Sequence, residues 1–232
     1  MESAEKITVA YFFTIARKSI PFAFASMAID RMRSRKFSGI SFSKLLGTGS
    51  GQTFTPSDAV LTRWGMVVVI DKNRLEAFDQ SSIISNWRKR STSEFRAVLA
   101  PLSSHGLWAK TNPFDFIKPA SSADVQIAAI TRARIKWNKN FIFWKSVPPV
   151  VIDLHSNPGL IAAIGIGEAP IGLQGTFSLW KSASALRDFA YKGKAHQVAI
   201  AQTQSIGWYS EELFARFEVL ELRGEITTNS HK

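Results

Sequence analysis

Short runs rich in β-branched and aromatic residues recur along the chain and read as strands: Ile7–Phe13, Trp64–Ile70 and Phe95–Ala100 in the first half. Between them, Pro21–Met32 and Lys72–Asp79 carry helical spacing, and a further helical piece reaches Arg90. A fourth strand, Phe42–Gly49, ends in glycines. The second half repeats the order. Strands are predicted at Val125–Thr131, Leu160–Gly167, Gly175–Trp180 and Leu213–Leu220. Helices are predicted at Asn140–Leu154, interrupted at Pro148-Pro149, at Ser182–Tyr191, and from about Lys194.

The landmarks superpose. Val9 pairs with Ala128 at an offset of 119, Gly47 with Gly165 at 118, Leu75 with Leu186 at 111, and Phe95 with Phe214 at 119. Each half therefore reads β-α-β-β-α-β, the ferredoxin-like order. The predicted fold is α+β: tandem ferredoxin-like repeats closing into one pseudo-dimeric α+β barrel. The Pro-, Ser- and Asn-containing stretch Lys110–Asp124 links residues 1–118 to residues 119–232, which form one compact unit.

Composition narrows the chemistry. The chain has 232 residues, 45% of them hydrophobic, enough for a large core. The absence of cysteine excludes disulfides, thiolate metal sites and cysteine nucleophiles. A net charge of +11 favours an anionic partner: nucleic acid, a membrane surface or an anionic cofactor. No apolar run is long enough to span a membrane, and the N-terminus does not read as a secretory signal. The expected location is cytoplasmic, with peripheral membrane contact open.

Gly47-Thr-Gly-Ser-Gly51 lacks the Gly-Lys-Ser/Thr of a phosphate-binding loop, and with its twin Gly165–Gly167 it reads as a tight turn or bulge. The basic clusters Arg31–Lys36, Arg88–Arg90 and Arg132–Lys136 read as solvated faces. The aromatic signature of RNA-recognition modules is absent, so no nucleic-acid partner is expected. Among the four histidines, His231 lies in a polar tail, His105 in a loop and His155 at a helix end. A non-haem iron site through Asp153 and His155 lacks the remaining ligands. His196 shares a helical face with Ala199, Ile200 and Thr203. Spacing alone leaves it open between a hydrogen-bonded interior histidine and the axial ligand of a porphyrin.

Several segments together resemble the spheroidene monooxygenase family of carotenoid-modifying enzymes: Lys44–Pro56, Trp144–Pro148, Gly165–Pro170, Gln174–Trp180, Phe189–His196 and Trp208–Phe217. Gln52 departs from the glutamate expected in the glycine loop. The resemblance spans about residues 7–220. It implies an O2-dependent oxygenase that carries haem b and inserts a keto oxygen into an acyclic carotenoid. It makes His196, in the Ala-His segment, the candidate iron ligand. Trp180 and Gln174 become candidate catalytic residues, Phe177 and Trp208 candidate pocket walls, and Arg216 and Arg88 candidate propionate partners. The implied partners are an apolar carotenoid-like substrate and an external electron donor, since no flavin or nicotinamide motif is present; an oligomer stays open. The alternatives are a haem carrier or sensor, a haem-dependent dehydratase or peroxidase on the same fold, and a basic RNA- or membrane-binding module.

Overall fold

The computed structural model describes residues 4–52, 55–122, 124–168, 173–192 and 206–226. Eight strands form a closed, entirely antiparallel barrel: β1 (Lys6–Ile15), β2 (Ile40–Gly49), β3 (Ala59–Asp71), β4 (Ser91–Gly106), β5 (Ile127–Ile135), β6 (Leu160–Gly167), β7 (Leu173–Trp180) and β8 (Tyr209–Arg223). Their order around the barrel is β1-β3-β2-β6-β7-β5-β8-β4. Each half thus contributes four strands in the ferredoxin-like order, and the two sheets join edge to edge. Closure removes every free edge. The α+β barrel expected from the repeat is the observed fold.

The two seams differ. β4 pairs with β8 from Arg96↔Arg223 to Gly106↔Leu213, whereas β2 pairs with β6 only through Gly47↔Gly167, Thr48↔Ile166 and Gly49↔Gly165. The helices lie outside the barrel: α1 (Ile20–Arg35), α2 (Leu75–Asp79) and α3 (Ser82–Arg88) belong to the first half. α4 (Asn140–Ser156) and α5 (Ala183–Lys192) belong to the second. α4 runs through Pro148 and Pro149 without the expected interruption. The helix expected from Lys194 falls within residues 193–205, outside the described residues.

The barrel interior is solid. Phe12, Phe95, Phe177, Phe114, Phe217, Trp108 and the aliphatic residues around them form one buried cluster, and Phe12 and Phe177 pack with ring centroids 5.1 Å apart. That close packing leaves the outer, helix-facing sides of the two sheets as the places for a ligand. Strand parity in the cores also corrects the repeat alignment. Val9 faces the helices of its half, but Ala128 points into the barrel. The 3-10 turns at Arg17–Ser19 and Trp137–Lys139 and the following helix starts at Ile20 and Asn140 fix the true correspondence, Ile7 with Ile127 and Ile15 with Ile135. The sequence alignment was one residue out here, which exchanges the two faces of a strand.

Candidate functional site

With the register fixed, the outer faces of the two sheets can be compared row by row across paired strands. In the first half the rows are Glu94–Phe13–Trp64–Gly47, Arg96–Tyr11–Met66–Leu45 and Val98–Val9–Val68–Ser43. The matching rows in the second half are Glu212–Ala133–Gln174–Gly167, Phe214–Thr131–Thr176–Gly165 and Arg216–Ala129–Ser178–Ala163. Phenylalanine, tyrosine, tryptophan, methionine and leucine on one face thus become alanine, threonine, glutamine, threonine and glycine on the other.

In the first half that volume is spent on packing. Tyr11, Phe13, Trp64 and Met66 are buried against Phe78, Trp87 and Ala23 of the helices. In the second half the buried cluster under the helices comprises Ile127, Leu154, Ala163 and Trp180, with Leu186 and Phe189 of α5 packed against it. It closes one end of the face; the centre, around Ala133, Thr131 and Thr176, presents small and hydroxyl-bearing side chains.

The expected site residues divide. Gln174 is buried on the bare outer face, and Arg216 is exposed on the same face, its Nε donating to Ser103 Oγ at 2.8 Å. Trp180, fully buried, shares that face, with its indole N–H bonded to Ser178 Oγ at 2.9 Å and its ring 5.3 Å from that of Phe189. Phe177 is separated from them. Three positions from Trp180 and three from Gln174, it points into the barrel against Phe12 and Phe95. Arg88 belongs to the first half, where its guanidinium binds Glu94 at 2.7 Å and Asp79 at 3.3 Å, so it is not brought to the face. Trp208 is buried beside Tyr209, and its carbonyl accepts from the Lys136 N–H at 2.8 Å. His196 lies outside the described residues. His105 is exposed near the end of β4, and His155 is exposed in the last turn of α4.

Sequence reading missed an ion cluster that closes one end of the barrel interior. Lys44 Nζ lies 2.5 Å from Glu168 Oε2, Trp108 Nε1 donates to Glu168 Oε1 at 2.7 Å, and Arg132 bridges Glu168 and Glu211. Glu211 also accepts the backbone N–H of Lys110 at 2.7 Å and of Ala109 at 3.1 Å, both residues having positive φ. Burial alone would raise the Glu168 carboxyl; the hydrogen bond and charge of Lys44, with Trp108 and Arg132, outweigh it and hold the group below its ordinary range. The available signal was parity. Lys44 and Arg132 occupy the same strand faces as Leu46 and Ile130, which point into the core.

At the short seam an outer cleft of about 400 Å³ borders this face. Its lining includes Phe24 and Met27 of α1, Leu61 and Trp64 of β3, and Ile166. Gly165, Gly167 and Gln174 also line it, so it shares residues with the bare face. The glycines here sit inside strands. Of the loop Gly47–Gly51 only Gly51 has the left-handed backbone (φ +76°) that the turn reading requires.

No protein-family model matches the chain. Spheroidene monooxygenase of Rhodobacter capsulatus is 33% identical over 210 residues, covering 89% of this chain and 86% of that protein. The chain belongs to the spheroidene monooxygenase family. As a member it is an enzyme of monooxygenase type, an oxidoreductase. The enzyme of the same name from Cereibacter sphaeroides is 35% identical over 188 residues, 79% of this chain and 57% of that longer relative. Among solved structures, an aldoxime dehydratase in complex with butyraldoxime shares the fold, with a TM-score of 0.58 at 12% identity, covering 95% of this chain and 81% of that one. No helix among the described residues is long and apolar enough to cross a membrane.

Proposed function

We propose that this family member is a haem-dependent, O2-using monooxygenase that oxidises an apolar substrate of the acyclic carotenoid type. One observation carries the reading: the outer face of the second sheet has lost the side chains that fill its counterpart. A face of alanine, glycine and threonine under a helical layer suits a broad, flat, apolar partner, because protein interiors are otherwise close-packed. The donor set also fits. Arg216, exposed on β8, offers a cation for a propionate, and Gln174 on β7 offers an amide hydrogen-bonding group at the opposite side of β5. In this reading His196, from the family's Ala-His segment, would hold the haem iron.

The bound haem would supply the iron that takes up O2 and the redox chemistry of the oxidation. The chain's own contribution is placement. Trp180, braced by Ser178 and Phe189, closes one end of the face and keeps water out. Thr131, Thr176 and Gln174 are the polar groups that the floor offers for orienting an oxygen-bearing group, amid apolar walls that hold the substrate. Electrons come from a separate donor. Trp137 and Phe141, 78% and 67% exposed beside Lys136 and Lys139, suit contact with an anionic membrane surface, the phase in which a carotenoid dissolves.

The test is the visible spectrum of protein produced with haem supplied, wild type against His196→Ala, followed by turnover of spheroidene with O2 and a reductant. A strong Soret band lost or shifted in the variant, with keto product from the wild type, is the expected result. A band unchanged by the substitution moves the ligand to His105 or His155. A wild-type protein that takes up no haem sinks the mechanism.

A further inference from the structure

We propose that the seam cleft is the binding groove for the linear chain of the apolar substrate, delivering it to the bare face of the second half. The proposal rests on the apolar-substrate reading above and adds the place where that substrate lies. At about 400 Å³ the cleft falls within the range of small-molecule sites, roughly 300–1,000 Å³. Its walls are apolar, Phe24 and Met27 on one side, Leu61 and Trp64 on another, with Ile166 beside them. Phe24 and Leu61 remain 55% and 48% exposed. Large apolar side chains left in water beside an apolar groove mark an interaction surface.

The charged groups near the groove are engaged elsewhere. Arg63 donates to Thr48 Oγ1 at 3.1 Å and to the Gly49 carbonyl at 2.8 Å, and Glu168 is held in the ion cluster. Among the described residues the groove's lining is therefore largely apolar, which suits a hydrocarbon chain.

Backbone packing accounts for Gly49, whose Cβ would lie 3.2 Å from the Asp58 carbonyl, and for Gly51, which has positive φ, but not for Gly47 or Gly165. A Cβ built on Gly47 would meet only the Gly167 carbonyl, at 3.7 Å, and one on Gly165 would meet nothing closer than 3.4 Å. Both distances are ordinary contacts, and neither residue has positive φ. Glycine inside a strand sacrifices stability, and it is found where something approaches the backbone closely. Here the approaching body is a ligand chain running along the glycines toward Gln174, which lines the groove and also stands on the second-half face.

The experiment uses Gly47→Leu, because Gly47 lines the groove and a Cβ there meets only the Gly167 carbonyl, at 3.7 Å. Binding of spheroidene in detergent micelles is measured directly, by retention of the polyene on immobilised protein, with and without haem. We expect the affinity to fall about tenfold or more, the scale of overfilling a packed site, while Soret intensity and melting temperature stay at wild-type values. Unchanged polyene affinity in a folded Gly47→Leu protein overturns the proposal. If that variant does not fold, Phe24→Gln at the exposed wall replaces it, and unaltered affinity there overturns the proposal equally. Polyene binding that weakens with Gly47→Leu in a protein that takes up no haem would uphold the groove and reject the haem reading alone.

Discussion

The two halves of this barrel have the same strand order, yet at matching places on their outer faces they carry side chains of very different size. In the first half, Phe13, Tyr11 and Trp64 fill the space between sheet and helices, each aromatic ring burying on the order of 150–250 Å². Tyr11 is fixed further. Its hydroxyl donates to Asp79 at 2.8 Å, and burial with the Asp79 charge pushes the phenol far above its usual range. At the matching places the second half has Ala133, Thr131 and Gln174. In the proposed reading, one copy of the repeat carries the stability of the closed barrel while the other gives up core volume to a ligand. The strained or underfilled parts of a fold are where function is to be sought.

The largest effect should follow from making the second half resemble the first. In the double variant Thr131→Tyr/Ala133→Phe the floor is refilled, and haem uptake, read as Soret absorbance per protein, should fall about tenfold or more while far-ultraviolet dichroism is retained. Full haem loading of this variant would remove the face from consideration. The reverse exchange acts on stability. Phe13→Ala opens a cavity in a complete core and should cost about 3–5 kcal/mol in urea unfolding, with activity per folded molecule unchanged. A loss below roughly 1 kcal/mol would mean that the first half is no better packed than the second.

A smaller effect is expected at the ion cluster that ties the halves together inside the barrel. The folded pKa of Glu168 lies below its unfolded value, so its contribution is complete above that value and is lost as the pH falls through the folded one. Glu168→Gln should therefore lower stability by on the order of 2 kcal/mol at pH 7. It should also flatten the decline in stability expected of the wild type on the acid side, as the pH falls through the folded-state value of Glu168. Denaturation midpoints from pH 3 to 7 check this, and parallel wild-type and variant curves would show that Glu168 does not titrate with folding.

Element order and the doubled β-α-β-β-α-β pattern were legible, because strand and helix periods differ and the glycine-ended strands repeat. Parity was less secure. Aligning Val9 with Ala128 matched two apolar residues and reversed the faces, and only the helix starts at Ile20 and Asn140 settle the register. Phe177 and Trp180 stand three apart and so cannot share a face of a strand, which the sequence did contain. Arg132 resembled a member of a solvated basic run. Its partners Glu168 and Glu211 are 36 and 79 residues away, beyond the reach of any local pattern. The contrast between the two outer faces was likewise hidden until the register was known.

The smallest expected effect concerns the surface, where the same comparison extends to the start of the first helix in each half. Trp137 and Phe141 occupy the places held by Arg17 and Pro21 in the first half. A tryptophan and a phenylalanine one turn apart, set among Lys136 and Lys139, would suit an interfacial anchor in the proposed reading. Trp137→Ser/Phe141→Ser should reduce binding to vesicles containing anionic lipid about fivefold, in line with losing two shallowly buried rings. Melting temperature and haem spectrum should change little, since the two rings are 78% and 67% exposed. Raising the salt concentration should weaken wild-type binding as well, because the lysines act through screened charge. Vesicle binding equal in variant and wild type would leave the aromatic pair without a role at the membrane, and the difference between the halves would then be confined to the face beneath the helices.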